Sequence, residues 1–322
     1  MEALRRLVEP DMALVNQLIT EHVKSDITLI SDLATHLIAA GGKRIRPSLT
    51  LASALLCGYK GTRHVRLAAC VEFIHTATLL HDDVVDASAL RRGTATANAL
   101  WGNKTSVLVG DFLLSRAFQL MVADGSLDVL SILSDAAATI SAGEVKQLMV
   151  SHDLAITEEV YLEVIGAKTA ALFAAAAELG AVVGAQPQMR AALREFGDAL
   201  GIAFQLVDDA LDYQAREEDL GKAIGDDFRD GKVTLPLMVA YREGSEEARS
   251  FFENCMEHAD TIGAGDLARA QQLIRTSRGV EYTLALAARY GEKARQALMQ
   301  LPASSARDAL SETVAFSIQR GY

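Results

Sequence analysis

Six aspartates in two clusters are the residues of this sequence best suited to chemistry. Asp82, Asp83 and Asp86 lie in "HDDVVD", and Asp208, Asp209 and Asp212 lie in "VDDALD". Both clusters have the pattern D-D-x-x-D and end an apolar helical run. On a helix, carboxylates four apart share one face, with Cβ atoms roughly 5–6 Å apart, and they repel each other. Oxygen ligands with no histidine or cysteine partner suit a hard cation, Mg²⁺ above all. Mg²⁺ is usually held by one or two carboxylates together with water and substrate phosphates. Two such clusters on facing helices imply a ligand that brings its own oxygens, and a diphosphate meets that description. A single copy would read as readily as a solvated helix face. Two copies, each beside a basic loop, carry the inference.

The basic residues sit where a diphosphate would need them. "GGKRIRP" supplies Lys43, Arg44 and Arg46 just before Pro47 and a helix start. Helix N-termini and arginine forks both favour phosphate. Arg91 and Arg92 follow the first acidic cluster by a short loop, and Lys168 and Thr169 stand in "GAKTA". Lys222 and Lys232 follow the second cluster, in "GKAIGDD" and "GKVTLP". From residue 208 to 232 there are nine acids and four bases, an imbalance that bound cations would offset.

The elements that must position these residues read as helix almost throughout. Only five prolines occur in 322 residues. "RHVRLAACVEFIHTATLLHDDVVD" and "AALREFGDALGIAFQLVDDALDY" show apolar positions three and four apart. No alternating segment with hairpin turn chemistry stands out. In "KTAALFAAAAELGAVVGA", Gly180 and Gly184 are four apart and predict a close helix–helix approach. Two stretches read as loops, "DASALRRGTATANALWGNK" and "REEDLGKAIGDDFRDGKVT". No linker or composition shift divides the chain, so residues 1–322 read as a single all-α domain.

Composition bounds the partners. Half of the residues are apolar, enough for a large core. A net charge of −11 argues against nucleic acid, which needs a basic surface. No run of about 18 residues is free of polar breaks, so no membrane span is expected. "MEALRRLVEP" contains acids and no apolar h-region, so no signal peptide is expected either. Cys57, Cys70 and Cys255 are scattered, without zinc or disulfide spacing, as in a cytoplasmic protein.

Taken together, "GGKRIRP", "EFIHTATLLHDDVVD", "RRG", "GDFLLSRAF", "GEVKQL", "KTA", "FQLVDDALDY", "GKAIGDD" and "GKVTLP" resemble the trans-isoprenyl diphosphate synthases, the polyprenyl synthetase family, in order and spacing. The likeness covers nearly the whole chain and is nearest to the long-chain, octaprenyl-type members. It implies an isoprenoid-synthase-type helical bundle around a deep central cavity, in a homodimer. It also implies head-to-tail (1′-4) condensation of isopentenyl diphosphate onto an allylic diphosphate such as farnesyl diphosphate, feeding quinone side chains.

Carried over residue by residue, the resemblance makes Asp82, Asp86, Asp208 and Asp212 the Mg²⁺ ligands, with Asp83 and Asp209 in support. Arg91, Lys168, Thr169, Gln205, Lys222 and Lys232 would serve the allylic diphosphate. Lys43, Arg46, His75 and Arg92 would hold isopentenyl diphosphate. Asp82, Asp86, Arg91, Lys168, Asp208 and Lys232 would form the catalytic set. Arg320 in the tail "SIQRGY" approaches the second substrate in some members and is not assigned here, and His81 reads as structural.

Product length is legible on the first acidic helix. Ala77 and Thr78 lie about one turn, roughly 6–7.5 Å, below Asp82 along a helix axis. Short-chain members carry large aromatics there; the small residues in this chain leave a hydrocarbon path open. Phe73 and Ile74, a further turn down, are candidates for its floor, with Phe118, Met121 and Leu133 from neighbouring helices. An octaprenyl product is expected, with solanesyl or decaprenyl as alternatives and a shorter chain less favoured. A terpene cyclase would not need "GGKRIRP" and usually carries an Asn/Ser/Glu-type second motif. A metal phosphohydrolase leaves the second cluster unexplained, and a non-catalytic subunit generally lacks intact acidic motifs.

Overall fold

The computed structural model describes residues 1–39, 42–91, 93–214 and 225–319. Among them helix dominates, as the periodicity predicts. Backbone contacts divide the chain into two compact units. The first comprises Met1–Ala138, Leu172–Gly197 and Arg295–Thr313; the second comprises Thr139–Ala171, Asp198–Ala294 and Val314–Tyr322.

In the first unit, α1 (Glu2–His22), α2 (Thr28–Ala39), α3 (Ile45–Leu56), α4 (Arg63–Val85), α5 (Ala97–Trp101) and α6 (Asn103–Asp124) follow in order. Pro47 falls in the first turn of α3, where its missing N–H has no intrahelical acceptor to serve. Helix α4 is the centre of this unit and packs on α6, α3 and α1. Its periodicity suggests one buried face, but residues 67–74 are all buried. Neighbours on several sides explain this, since α4 is a core helix rather than a surface one. Its start is tied to the end of α6 by Arg63, which donates from Nε and Nη2 to the two oxygens of Asp124 at 2.5 and 2.6 Å.

The stretch after the first acidic cluster is more ordered than a loop. Leu90–Arg91 (β1) and Thr94–Ala95 (β2) pair antiparallel, Leu90 with Ala95 and Arg91 with Thr94. Strands of two residues are too short to show alternation, which is why the sequence conceals them. Helix α7 (Leu127–Val150) begins in this unit. From Leu172 the unit also contains most of α9 (Ala171–Val183), which runs against α3. A Cβ on Gly180 would collide with the backbone at Ser53 and Ala54, and one on Gly184 with Cys57. The four-residue glycine spacing thus serves the close approach that it predicts.

In the second unit, α8 (Glu158–Ile165) is capped by Thr157, whose Oγ1 accepts from Val160 N at 3.3 Å. It runs into a π-helical turn over Gly166–Ala170. Most of α10 (Arg190–Gln214) belongs here. The helix Leu235–Glu243 packs on Glu246–Glu257 and Ala264–Thr276. The core joins Tyr161, Leu206, Ala210, Tyr213, Phe228 and Phe252, with the last two rings edge-to-face at 6.4 Å.

Two helical stretches, Asn103–Asp124 and Glu158–Val183, are long and apolar enough to cross a membrane, although the sequence led us to expect none. In the second, 61% of the most apolar window is buried inside the protein, as in a core helix. The first leaves Val107, Leu108, Phe118 and Val122 exposed.

Candidate active site

The first acidic cluster closes α4. Asp82 and Asp83 are in its last turn, and Asp86 caps it at φ −81°, ψ 0°. The Asp86 N–H still donates to Asp82 O at 2.8 Å, which keeps the two residues in i, i+4 register. Both carboxylates are half-buried. They stand at the negative end of the helix dipole, an arrangement that disfavours anions and favours a cation. Asp83 points elsewhere. It is 2% exposed and accepts from Arg91 Nε and Nη2 at 2.8 and 2.6 Å. Arg91, expected on a diphosphate, is therefore anchored from behind on Asp83. Asn98, which the sequence reading passed over, ties the hairpin down: its Nδ2 donates to the carbonyls of Asp83 and Ser88, both at 3.0 Å. No spacing rule points to it; only the fold returns it to α4.

The same unit gathers part of the expected isopentenyl diphosphate set. Arg46 Nη1 lies 3.1 Å from His75 Nε2. A guanidinium can only donate, so His75 Nε2 is the acceptor. The guanidinium also lies over the Phe173 ring, 4.6 Å from its centroid. Lys43 is exposed two residues before the α3 start. Arg44, between them, is turned away onto Glu72 of α4. Arg92 is outside the described residues.

Below the cluster on α4, Ala77 is buried and Thr78 half-buried, with Thr78 Oγ1 on His75 O at 2.8 Å. Phe73, Ile74, Met121 and Leu133 are buried. Phe118 is 42% exposed, so it does not close a path inside this chain. Its outward position on α6 is set by helix phase, which length and composition do not reveal.

In the second unit, Asp208 is half-buried on α10 while Asp209 and Asp212 are buried. Asp209 is fully engaged: Tyr161 donates to Oδ2 at 2.5 Å and Gln205 Nε2 donates to Oδ1 at 2.7 Å. Burial, with the nearby Asp227 charge, pushes its carboxyl up to about 7 against the pull of these two donors. Burial and Asp209 likewise raise the Tyr161 phenol well above its usual range. Thr169 Oγ1 donates to Gln205 Oε1 at 2.8 Å, which links the π turn to the acidic helix. π turns inside helices often mark functional positions, and this one carries Lys168. Lys168 Nζ sits 2.9 Å from Glu144. Glu144 belongs to "GEVKQL" and was not singled out as a site residue. One Asp212 oxygen accepts the Asp227 N–H at 3.2 Å.

Lys232 follows Gly231, and its Nζ is 3.1 Å from Asp230 Oδ2. Gly231 has φ +68° and the His152 ring lies against it. His152 N donates to Gly231 O at 2.9 Å. The lysine turn is thus held by a residue about eighty positions earlier, which no local pattern indicates. Lys222 and Arg320 are outside the described residues.

Among the described residues, no three His, Cys, Asp or Glu side chains form a metal cage. An all-oxygen donor set of single carboxylates instead suits a cation that completes its shell with water and phosphate.

The polyprenyl synthetase model matches residues 27–274. The chain belongs to the polyprenyl synthetase family. It is 46% identical to octaprenyl diphosphate synthase of Escherichia coli (strain K12) over 321 residues, which cover 99% of each chain. A polyprenyl synthase from Caulobacter crescentus CB15, solved with calcium and isoprenyl diphosphate, superposes with a TM-score of 0.96 at 52% identity, covering 100% of this chain and 98% of that one. A decaprenyl diphosphate synthase from Rhodobacter capsulatus superposes with a TM-score of 0.94 at 48% identity, covering 100% and 99%. As a polyprenyl synthetase, this all-α chain is a prenyltransferase.

Proposed function

We propose that the protein is an all-trans octaprenyl diphosphate synthase, extending an allylic diphosphate such as farnesyl diphosphate with isopentenyl diphosphate. The observation that carries this reading is 46% identity to an octaprenyl diphosphate synthase across essentially both full chains. Ala77, about one turn below Asp82, is small, so no bulky side chain at that position stops a growing hydrocarbon, which supports a long product. The decaprenyl synthase likeness at 48% identity favours decaprenyl as the second reading.

Asp82 and Asp86 in the first unit, and Asp208 and Asp212 in the second, would hold Mg²⁺. Mg²⁺, when bound, neutralises charge on the departing diphosphate. Arg91, Lys168, Thr169, Gln205, Lys222 and Lys232 would orient the allylic diphosphate and spread the charge that grows as its carbon–oxygen bond breaks. Arg91 and Lys168 enter this role already braced by Asp83 and Glu144. Such bracing fixes the donors before reaction, which is where electrostatic catalysis gains most. Lys43, Arg46, His75 and Arg92 would place isopentenyl diphosphate so that its double bond meets the allylic cation. The new carbon–carbon bond leaves a cation on the added unit, and loss of a proton to the released diphosphate restores a double bond. No dedicated protein base is needed. Apolar surroundings must keep water from the cation.

The two units would act as one synthase domain in a cytoplasmic homodimer. The exposed Leu108, Phe118 and Val122 on α6 suit a second copy of this chain as their cover. The experiment is direct: incubate the purified protein with farnesyl diphosphate, labelled isopentenyl diphosphate and Mg²⁺, then size the lipid. A C40 product is expected. A C50 product would favour the decaprenyl reading, and no incorporation by folded protein would overturn both.

A further inference from the structure

Three cations flank the start of α3, but only two are assigned to isopentenyl diphosphate. Arg44, the third, stands at the α3 N-cap with φ +48°, ψ +37°, a left-handed conformation that costs a non-glycine residue. The side chain reaches α4, where Nη1 donates to Glu72 Oε1. Both partners are largely buried, with side-chain exposures of 19% and 10%. The Arg44 carbonyl is also fixed, accepting from Ser48 N at 3.1 Å and Ser48 Oγ at 2.7 Å. Three residues beyond Glu72 on the same helix, His75 meets Arg46. Successive turns of α4 therefore engage alternate arginines of "KRIR", while Ile45 between them is buried.

A buried carboxylate beside a site for a diphosphate runs against simple electrostatics. It lowers the local positive charge, and a buried ion pair often adds little to stability over an apolar pair. We infer that Glu72 and Arg44 are positioning residues for the second-substrate site: the ion pair holds the left-handed turn that aims Lys43 and Arg46, and Arg44 itself is not a phosphate ligand. This rests on the assignment of Lys43, Arg46 and His75 to isopentenyl diphosphate.

The two accounts of Glu72 predict opposite signs. If local charge were all that mattered, Glu72→Gln would release Arg44 and tighten isopentenyl diphosphate binding. If the pair positions the turn, the same change weakens binding, because misplacement by an ångström is costly for an oriented substrate. The test measures KM for each substrate separately, together with calorimetric binding of isopentenyl diphosphate to the intact enzyme without turnover. Glu72→Gln is expected to raise the isopentenyl diphosphate KM and Kd about tenfold, leaving the allylic KM within about twofold. The paired variant Arg44→Met with Glu72→Leu should recover the melting temperature but not that affinity.

Tighter isopentenyl diphosphate binding in Glu72→Gln would overturn the inference, as would equal loss for both substrates. Recovery of affinity in the apolar double variant would overturn it too, because the pair would then be only a packing element. Arg46→Ala is measured in parallel. If it leaves the isopentenyl diphosphate Kd unchanged, the site assignment itself fails, independently of what Glu72→Gln does.

Discussion

Replacing Ala77 with phenylalanine tests the product-length argument and the packing argument at once. Ala77 is 1% exposed and precedes Asp82 by five residues, about 7.5 Å along a helix axis. If the hydrocarbon runs past this point, a phenyl ring fills the path and stops growth roughly one helical turn below the acidic cluster. The ring then occupies space that the substrate would have taken. Ala77 is also packed against protein within the chain, so the same ring overfills the core at a cost of about 1–3 kcal/mol. Urea denaturation of the substrate-free enzyme measures the stability cost, and chromatography of dephosphorylated products measures the chain length. The expected pair of results is a sharply shortened product and a lowered midpoint. An unchanged product distribution with a lowered midpoint would refute the reasoning, because it would show Ala77 to be core and the path to lie elsewhere.

Four further outcomes follow. Asp82→Ala and Asp208→Ala should each lower turnover by orders of magnitude while far-UV circular dichroism stays at the wild-type value, since neither carboxylate is needed to form its helix. Tyr161→Phe removes one of two side-chain donors to the buried Asp209 and should cost about 1–3 kcal/mol in denaturant unfolding. Gly231→Ala places a Cβ at φ +68° against the His152 ring; it should lose about 1–2 kcal/mol and raise the allylic diphosphate KM through Lys232, and His152→Ala should relieve only part of that loss. If a second copy covers α6 as proposed, the wild-type protein should scatter light as a dimer and Phe118→Glu on the exposed face should shift it towards monomer, with helicity retained.

Much of the fold can be read locally. The scarcity of proline and the three- and four-residue apolar spacing specify helices, because each depends on contacts within a few residues. The paired aspartates, the basic loops and the glycine pair at Gly180 and Gly184 are also local patterns. What they could not reveal is which neighbour each charge meets. Arg91 on Asp83 is eight residues away, but Lys168 on Glu144 is twenty-four, and Arg44 on Glu72 is twenty-eight. The hairpin at Leu90–Arg91 was hidden because two-residue strands have no period to detect. His152 under Gly231 and Asn98 under the first motif were missed because their partners arrive only through folding.

By itself, the sequence determined the helical class and the family, and it singled out the candidate carboxylates, since each is a matter of residue type and short-range spacing. Tertiary structure decided which cations are braced, which aspartates of each cluster are buried, and that Phe118 faces outward. Those outcomes depend on helix phase and on long-range contacts. Burial then sets the energetics: a carboxylate enclosed in the protein must find a donor, and Asp83, Asp209 and Glu72 each took theirs from a separate part of the chain.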